Sequence, residues 1–155
     1  MDVLVKGIEK LIKRLINKFS GQMTERTIMK ELQTFAKQYQ EEMGWEISEE
    51  SYAKSRGSLL NNYMLLTTEV AEVAEELRKA FNLTASYVEK GMDEEQAFEL
   101  AKNQIKENMG KELSDCLAYM LKFYNYFGID VEESFYTKME EVKNRKNKDK
   151  VKTKI

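Results

Sequence analysis

The sequence predicts an all-α fold, a helical bundle of four to five helices. Three observations carry that expectation. The 155 residues contain no proline and only seven glycines, the two residues that most often punctuate turns and strands. Good helix formers such as Glu, Lys, Leu, Ala and Met are abundant. Apolar residues recur at spacings of three and four, and no segment alternates with the period of two that a strand requires.

Residues 3–19 place Leu4, Ile8, Leu11, Leu15 and Phe19 at helical spacing, with Lys6, Lys10, Lys13 and Lys18 on the opposite face. This predicts an amphipathic basic helix, either docked on the core or another subunit or lying on a membrane surface. Ser20-Gly21 ends it. A second helix starts at Thr24 and passes through Ile28, Leu32, Phe35 and Tyr39 to about Met43, where Gly44-Trp45 closes it. Residues 46–56 read as a loop or a broken helical turn. A third helix runs over 58–81, with Leu59, Leu60, Met64, Leu65, Val70, Val73 and Leu77 on its apolar positions. A turn is expected at Gly91. Asp93 caps a long fourth helix, kinked or split at Gly110 and ended by Gly128. Asp130 opens the last helix, and the lysine-rich run after Arg145 is expected to fray. The corresponding domain plan is an N-terminal helix (1–22), a main domain (23–148) and a basic tail (149–155).

Composition also narrows the chemistry. Histidine is absent, which excludes Ser-His-Asp and Cys-His catalysis, His-bearing zinc sites and the Glu-x-x-His di-iron bundle. The lone Cys116 cannot form an internal disulfide and fits a reducing cytoplasm. No run approaches the roughly 20 apolar residues of a membrane span, and the first residues do not resemble a signal peptide. A net charge of −2 argues against stable nucleic-acid binding.

What remains is carboxylate chemistry. On the third helix Glu69, Glu72 and Glu76 share one face beside Val70, Val73 and Leu77. On the fourth, Glu112, Asp115 and Tyr119 share one face beside Leu113, Leu117 and Leu121. Packed side by side, these helices would gather four carboxylates in apolar surroundings, at a cost of roughly several kcal/mol each if unpaired. A divalent cation removes that cost, and hard oxygen ligands suit Mg²⁺ or Mn²⁺ rather than zinc. The plainer alternative is a solvated acidic face, with Arg78 and Lys79 pairing Glu75 and Glu76.

These segments resemble the MazG-like nucleoside triphosphate pyrophosphatases. TTEVAEVAEE at 67–76 is similar to the family's Glu-x-x-Glu motif, and KELSDCLAYML at 111–121 to its Glu-x-x-Asp motif. LQTFAKQYQEEMGWEI at 32–47 and FGIDVEESFYTKMEEVKNRK at 127–146 resemble its leading and closing helices. About 40 residues separate the two acidic motifs, more than the family usually has. A helical insertion is therefore expected over 82–110, covering the site or building an oligomer interface. Thr68 stands where the family often has a further Glu.

The resemblance implies a Mg²⁺-dependent cytoplasmic hydrolase, with Mn²⁺ as a substitute ion. It would convert (deoxy)nucleoside triphosphates to the monophosphate and pyrophosphate in nucleotide-pool housecleaning. It implies Glu69, Glu72, Glu112 and Asp115 as metal ligands and Glu72 or Glu76 as the residue orienting the attacking water. Phe35, Trp45, Tyr119, Lys138, Asn144 and Arg145 become candidate substrate contacts. A homodimer or homotetramer is expected, because apolar faces such as Leu11, Leu15 and Phe19 need covering. The alternative from another class is a non-catalytic helical protein that binds nucleotides or regulates a partner.

Overall fold

The computed structural model describes residues 25–152, with side chains over 28–145. The expected helix at 3–19 lies outside the described residues. Four helices follow one another: α1 (Glu25–Met43), α2 (Tyr52–Glu89), α3 (Glu94–Tyr126) and α4 (Val131–Lys152). No strand occurs among the described residues. The described residues divide into two compact units, one of Ala36–Gly128 and one that joins those up to Phe35 to those from Ile129 onward.

In the first unit α2 and α3 form an antiparallel hairpin. Small residues let the two backbones approach: Ala97 and Ala101 are fully buried and Ala80 nearly so. Ala80, Ala101 and Ile105 form the packed centre, with Leu83 and Met109 against it. The tight bend between the legs needs a left-handed residue, and Gly91 supplies it with φ +91°. Its N–H bonds to Val88 O at 2.9 Å, while that of Met92 bonds to Tyr87 O at 3.1 Å, closing the last turn of α2. Asp93 then caps α3 by accepting from the Gln96 N–H at 3.2 Å, with Glu94 and Glu95 favourably placed in the first turn.

Several boundaries differ from the sequence expectation. The segment 46–56 is not all loop, because α2 begins at Tyr52 with Ser51 as its cap, accepting from the Lys54 N–H at 3.3 Å. The helix also runs on to Glu89 rather than ending near Phe81. Gly110 does not split the helix that the sequence predicts: α3 continues through it, carried by helical residues on both sides and by the packing of Ile105 and Met109. The expected insertion at 82–110 is thus the outer half of the hairpin, built into both legs and the turn. The last helix extends past Arg145 to Lys152.

α1 ends as expected at Gly44, whose φ of +65° lets the Trp45 N–H bond to Gln40 O at 2.8 Å. Tyr39 and Trp45 meet edge to face at 6.0 Å. The following loop is pinned by buried Ile47 and by the Ser48 N–H, which donates to Ser58 Oγ at 3.2 Å. In the other unit Asp130 caps α4, its Oδ1 accepting from the N–H groups of Glu132 and Glu133 at 3.0 Å each. Those backbone donors, with Lys30 at 3.1 Å, hold the Asp130 carboxyl below its ordinary range. Gln33 ties α1 to the same turn by donating to Ile129 O at 2.9 Å and accepting from the Val131 N–H at 3.0 Å.

Candidate functional site

Pairing of α2 with α3 decides which acids meet. Glu69 on one leg faces Glu112 and Asp115 on the other, and one carboxylate oxygen of each lies within 4.8 Å of the others. Glu69 and Glu112 are half-buried and Asp115 is exposed, so the trio opens to solvent on one side. Glu72 stands one turn along α2 and is exposed; it lies outside this trio. Its charge still reaches Glu69. Burial first, then Asp115, Glu112 and Glu72, push the Glu69 carboxyl above its ordinary value.

The same field acts on the neighbours. Burial, then the charges of Glu69 and Asp115, raise both the Cys116 thiol and the Tyr119 hydroxyl. Cys116 is therefore a buried, inert thiol rather than a nucleophile.

The raised carboxyl has a sign. Glu69 binds its proton more readily folded than unfolded, so its ionised form opposes folding above the raised pKa. That cost is relieved as the pH falls through it towards the ordinary carboxylate range. In metal-free buffer, Glu69→Gln is expected to raise the melting temperature by about 1–3 °C at pH 7.5. The advantage should shrink near pH 4.5, and scanning calorimetry at the two pH values checks it. An unchanged or lowered midpoint at pH 7.5 would mean that the acids do not repel one another.

Glu76 is drawn elsewhere. One of its oxygens accepts from Lys79 Nζ at 3.5 Å, and the other is buried without a hydrogen-bond partner among the described residues. Glu75 pairs with Arg78. The acid–base pairing open in the sequence thus describes Glu75 and Glu76, and it does not describe the trio.

Trp45 is exposed at the end of α1, and Tyr119 is half-buried one turn beyond Asp115. Phe35, Lys138, Asn144 and Arg145 belong to the other unit. There Phe35 is exposed, Lys138 donates to Glu141 at 2.9 Å, Arg145 lies 3.9 Å from Glu141, and Asn144 is exposed on α4.

A second polar group, not evident from the sequence, lies on the same two helices as the trio. Lys122 follows Tyr119 on the same face of α3, and Asn62 precedes Glu69 by seven residues on α2. Lys122 Nζ donates to Asn62 Oδ1 at 3.2 Å and lies 4.7 Å from the centre of the Tyr119 ring. A lysine inside the apolar run Met120-Leu121-Lys122-Phe123, in phase with Asp115, was the signal that could have found it.

What this arrangement suits is oxygen-ligand chemistry. Three carboxylates converge with no ion pair to any of them among the described residues, and burial together with the neighbouring charges raises Glu69. A hard divalent cation fits that donor set. Among the described residues no helix is long and apolar enough to cross a membrane.

No curated protein and no solved structure matches the chain. A family model described as the MazG nucleotide pyrophosphohydrolase domain matches residues 58–149. That span exceeds half of the chain and contains most of α2, all of α3 and the facing acids Glu69, Glu112 and Asp115. The chain therefore belongs to the MazG nucleotide pyrophosphohydrolase domain family.

Proposed function

We propose that the protein hydrolyses (deoxy)nucleoside triphosphates to the monophosphate and pyrophosphate in a Mg²⁺-dependent reaction, Mn²⁺ substituting, and so cleans the nucleotide pool of its cytoplasmic compartment. The observation that carries this reading is the convergence of Glu69, Glu112 and Asp115 within the matched domain. With Glu72 one turn away, these residues would hold the cation. Bound there, Mg²⁺ neutralises phosphate charge and lowers the pKa of water.

The chain's own groups do the rest. Glu72, exposed beside the trio, would orient an attacking water and accept its proton; Glu76 is the other candidate, engaged by Lys79 in this structure. Tyr119, half-buried one turn beyond Asp115, and Trp45, exposed beyond the end of α1, would be substrate contacts. Roles for Phe35, Lys138, Asn144 and Arg145 in contacting substrate rest on the family resemblance alone.

Pyrophosphate release from a panel of canonical and modified triphosphates, with Mg²⁺ or with EDTA, tests the reading. Release that needs the metal is the expected result. A folded protein that releases none from any nucleotide would turn the assignment to a non-catalytic, nucleotide-binding or regulatory role.

We also propose a homodimer or homotetramer. Along α2, Leu60, Tyr63, Val70, Leu77 and Phe81, with Thr67 and Ala74 between them, repeat at alternating steps of three and four, and all are exposed. A heptad stripe of this kind suits a second copy of the same helix. Sedimentation equilibrium should show an even-numbered assembly. A monomer at tens of micromolar would sink this part of the reading.

A further inference from the structure

Lys122 also opens onto a feature apart from the carboxylate trio. Between the end of α1, the loop after it and α3 lies a cleft of about 630 Å³. Its lining includes Gln40, Glu46, Ile47, Lys122 and Tyr126. Two buried polar side chains fix its geometry, Gln40 in the lining and Asn62 behind Lys122. Gln40 is 6% exposed and donates to Ala118 O at 3.3 Å; Asn62 is 6% exposed, donates to Ser58 O at 2.9 Å and accepts from Lys122. Lys122 is thereby fixed in direction, with its ammonium on the Tyr119 ring.

The charges decide what the cleft can take. Glu46, Glu49 and Glu50 stand on its rim, so a phosphate would meet repulsion there. A neutral ligand with hydrogen-bond donors beside an acceptor would not. Lys122 presents donors, and Glu46, whose charge it senses, presents two acceptor oxygens. Tyr126 lines the same cleft with an aromatic ring. Lys122 lies seven residues beyond Asp115, a rise of about 10 Å, which is the reach of a nucleoside from its α-phosphate to its base edge.

We propose that this cleft receives the nucleobase and selects guanine, with the Lys122 ammonium donating to O6 and the Glu46 carboxylate accepting from N1–H and the 2-amino group. The assignment rests on the pyrophosphohydrolase reading above and adds its substrate class. Guanine has two adjacent donors next to a carbonyl, so it satisfies both side chains at once. Adenine offers the carboxylate a single donor group. Cytosine does the same and places its carbonyl on the far side of N3. Uracil has one ring N–H between two carbonyls, so one of them faces the carboxylate. Each of these leaves a charged partner incompletely bonded.

The test measures kcat/KM for GTP, ITP, ATP, CTP and UTP with the full chain, wild type beside Glu46→Gln and Lys122→Met. Circular dichroism confirms that each variant is folded. Wild type should favour GTP over ITP, which lacks the 2-amino group, by about tenfold, and over the other three by about 10- to 100-fold. Glu46→Gln should bring the GTP:ITP ratio close to one. Lys122→Met should cut the GTP:ATP ratio by about tenfold. Comparable hydrolysis of all five, or ratios unchanged in both variants, overturns the guanine assignment while hydrolysis itself stands. If none is hydrolysed, titration calorimetry with GMP decides: binding weakened at least tenfold by Glu46→Gln upholds the cleft's role, and no binding of GMP ends it.

Discussion

Replacing Glu112 by Gln should lower metal-dependent pyrophosphate release by about 10²–10³-fold while leaving the protein folded. Glutamine keeps the size of the side chain and one carbonyl oxygen but removes the charge. The trio of Glu69, Glu112 and Asp115 then loses one of its three anionic donors. Changing groups that merely support a metal ligand already costs about 10–100-fold, and losing the charge of a ligand itself costs more. Thermal stability should move the other way, because one of the charges that push Glu69 up is gone. Loss of rate with an equal or higher melting temperature is the signature of a functional residue set against its own fold. Glu107→Gln is the matched control: that exposed acid bonds its neighbour Lys111 at 2.7 Å, and the rate should stay as in wild type.

Ile105→Ala should destabilise the protein by about 2–4 kcal/mol, a fall of roughly 5–15 °C in melting temperature. Ile105 is 5% exposed and sits with Ala80 and Ala101 at the point where the two legs pack, with Leu83 and Met109 around it. Ala80 on the facing leg is too small to fill the space, and Leu83 and Met109 are already packed against the cluster, so a cavity remains. Calorimetry gives the size of the effect. A change below about 0.5 kcal/mol, the level of an ordinary surface substitution, would show that the hairpin holds together through other contacts.

How the sequence expresses this fold is instructive in particular residues. Asp93, Gly44 and Gly128 announced their boundaries, because a cap or a left-handed turn requires their chemistry. Gly110 misled, because a glycine inside a helix weakens it locally, while packing around Ile105 and Met109 sets the outcome. Tyr52 to Gly57 escaped notice for a related reason: the segment has few apolar residues to show a period, and the Ser51 cap starts the helix. The acids Glu69, Glu112 and Asp115 were legible through their spacing along each helix. That Glu72 would fall outside the closest group was not, since spacing gives the face of a helix but not the height at which it meets its neighbour. Lys122 was hidden by its setting, a single cation within an apolar run whose role appears only once Asn62 is opposite it.

The turn at Gly91 carries an implication for how this hairpin can change length over evolution. Both legs run past the carboxylates to a shared tip, so a residue gained by one leg alone would rotate every later side chain by about 100° and unseat Ala80 from Ala101. Insertions and deletions that survive should therefore come in matched blocks, about seven residues per leg, which restores the phase of both helices at once. The outer half would then behave as a telescoping arm, free to lengthen or shorten among relatives while the acids at its base keep their partners.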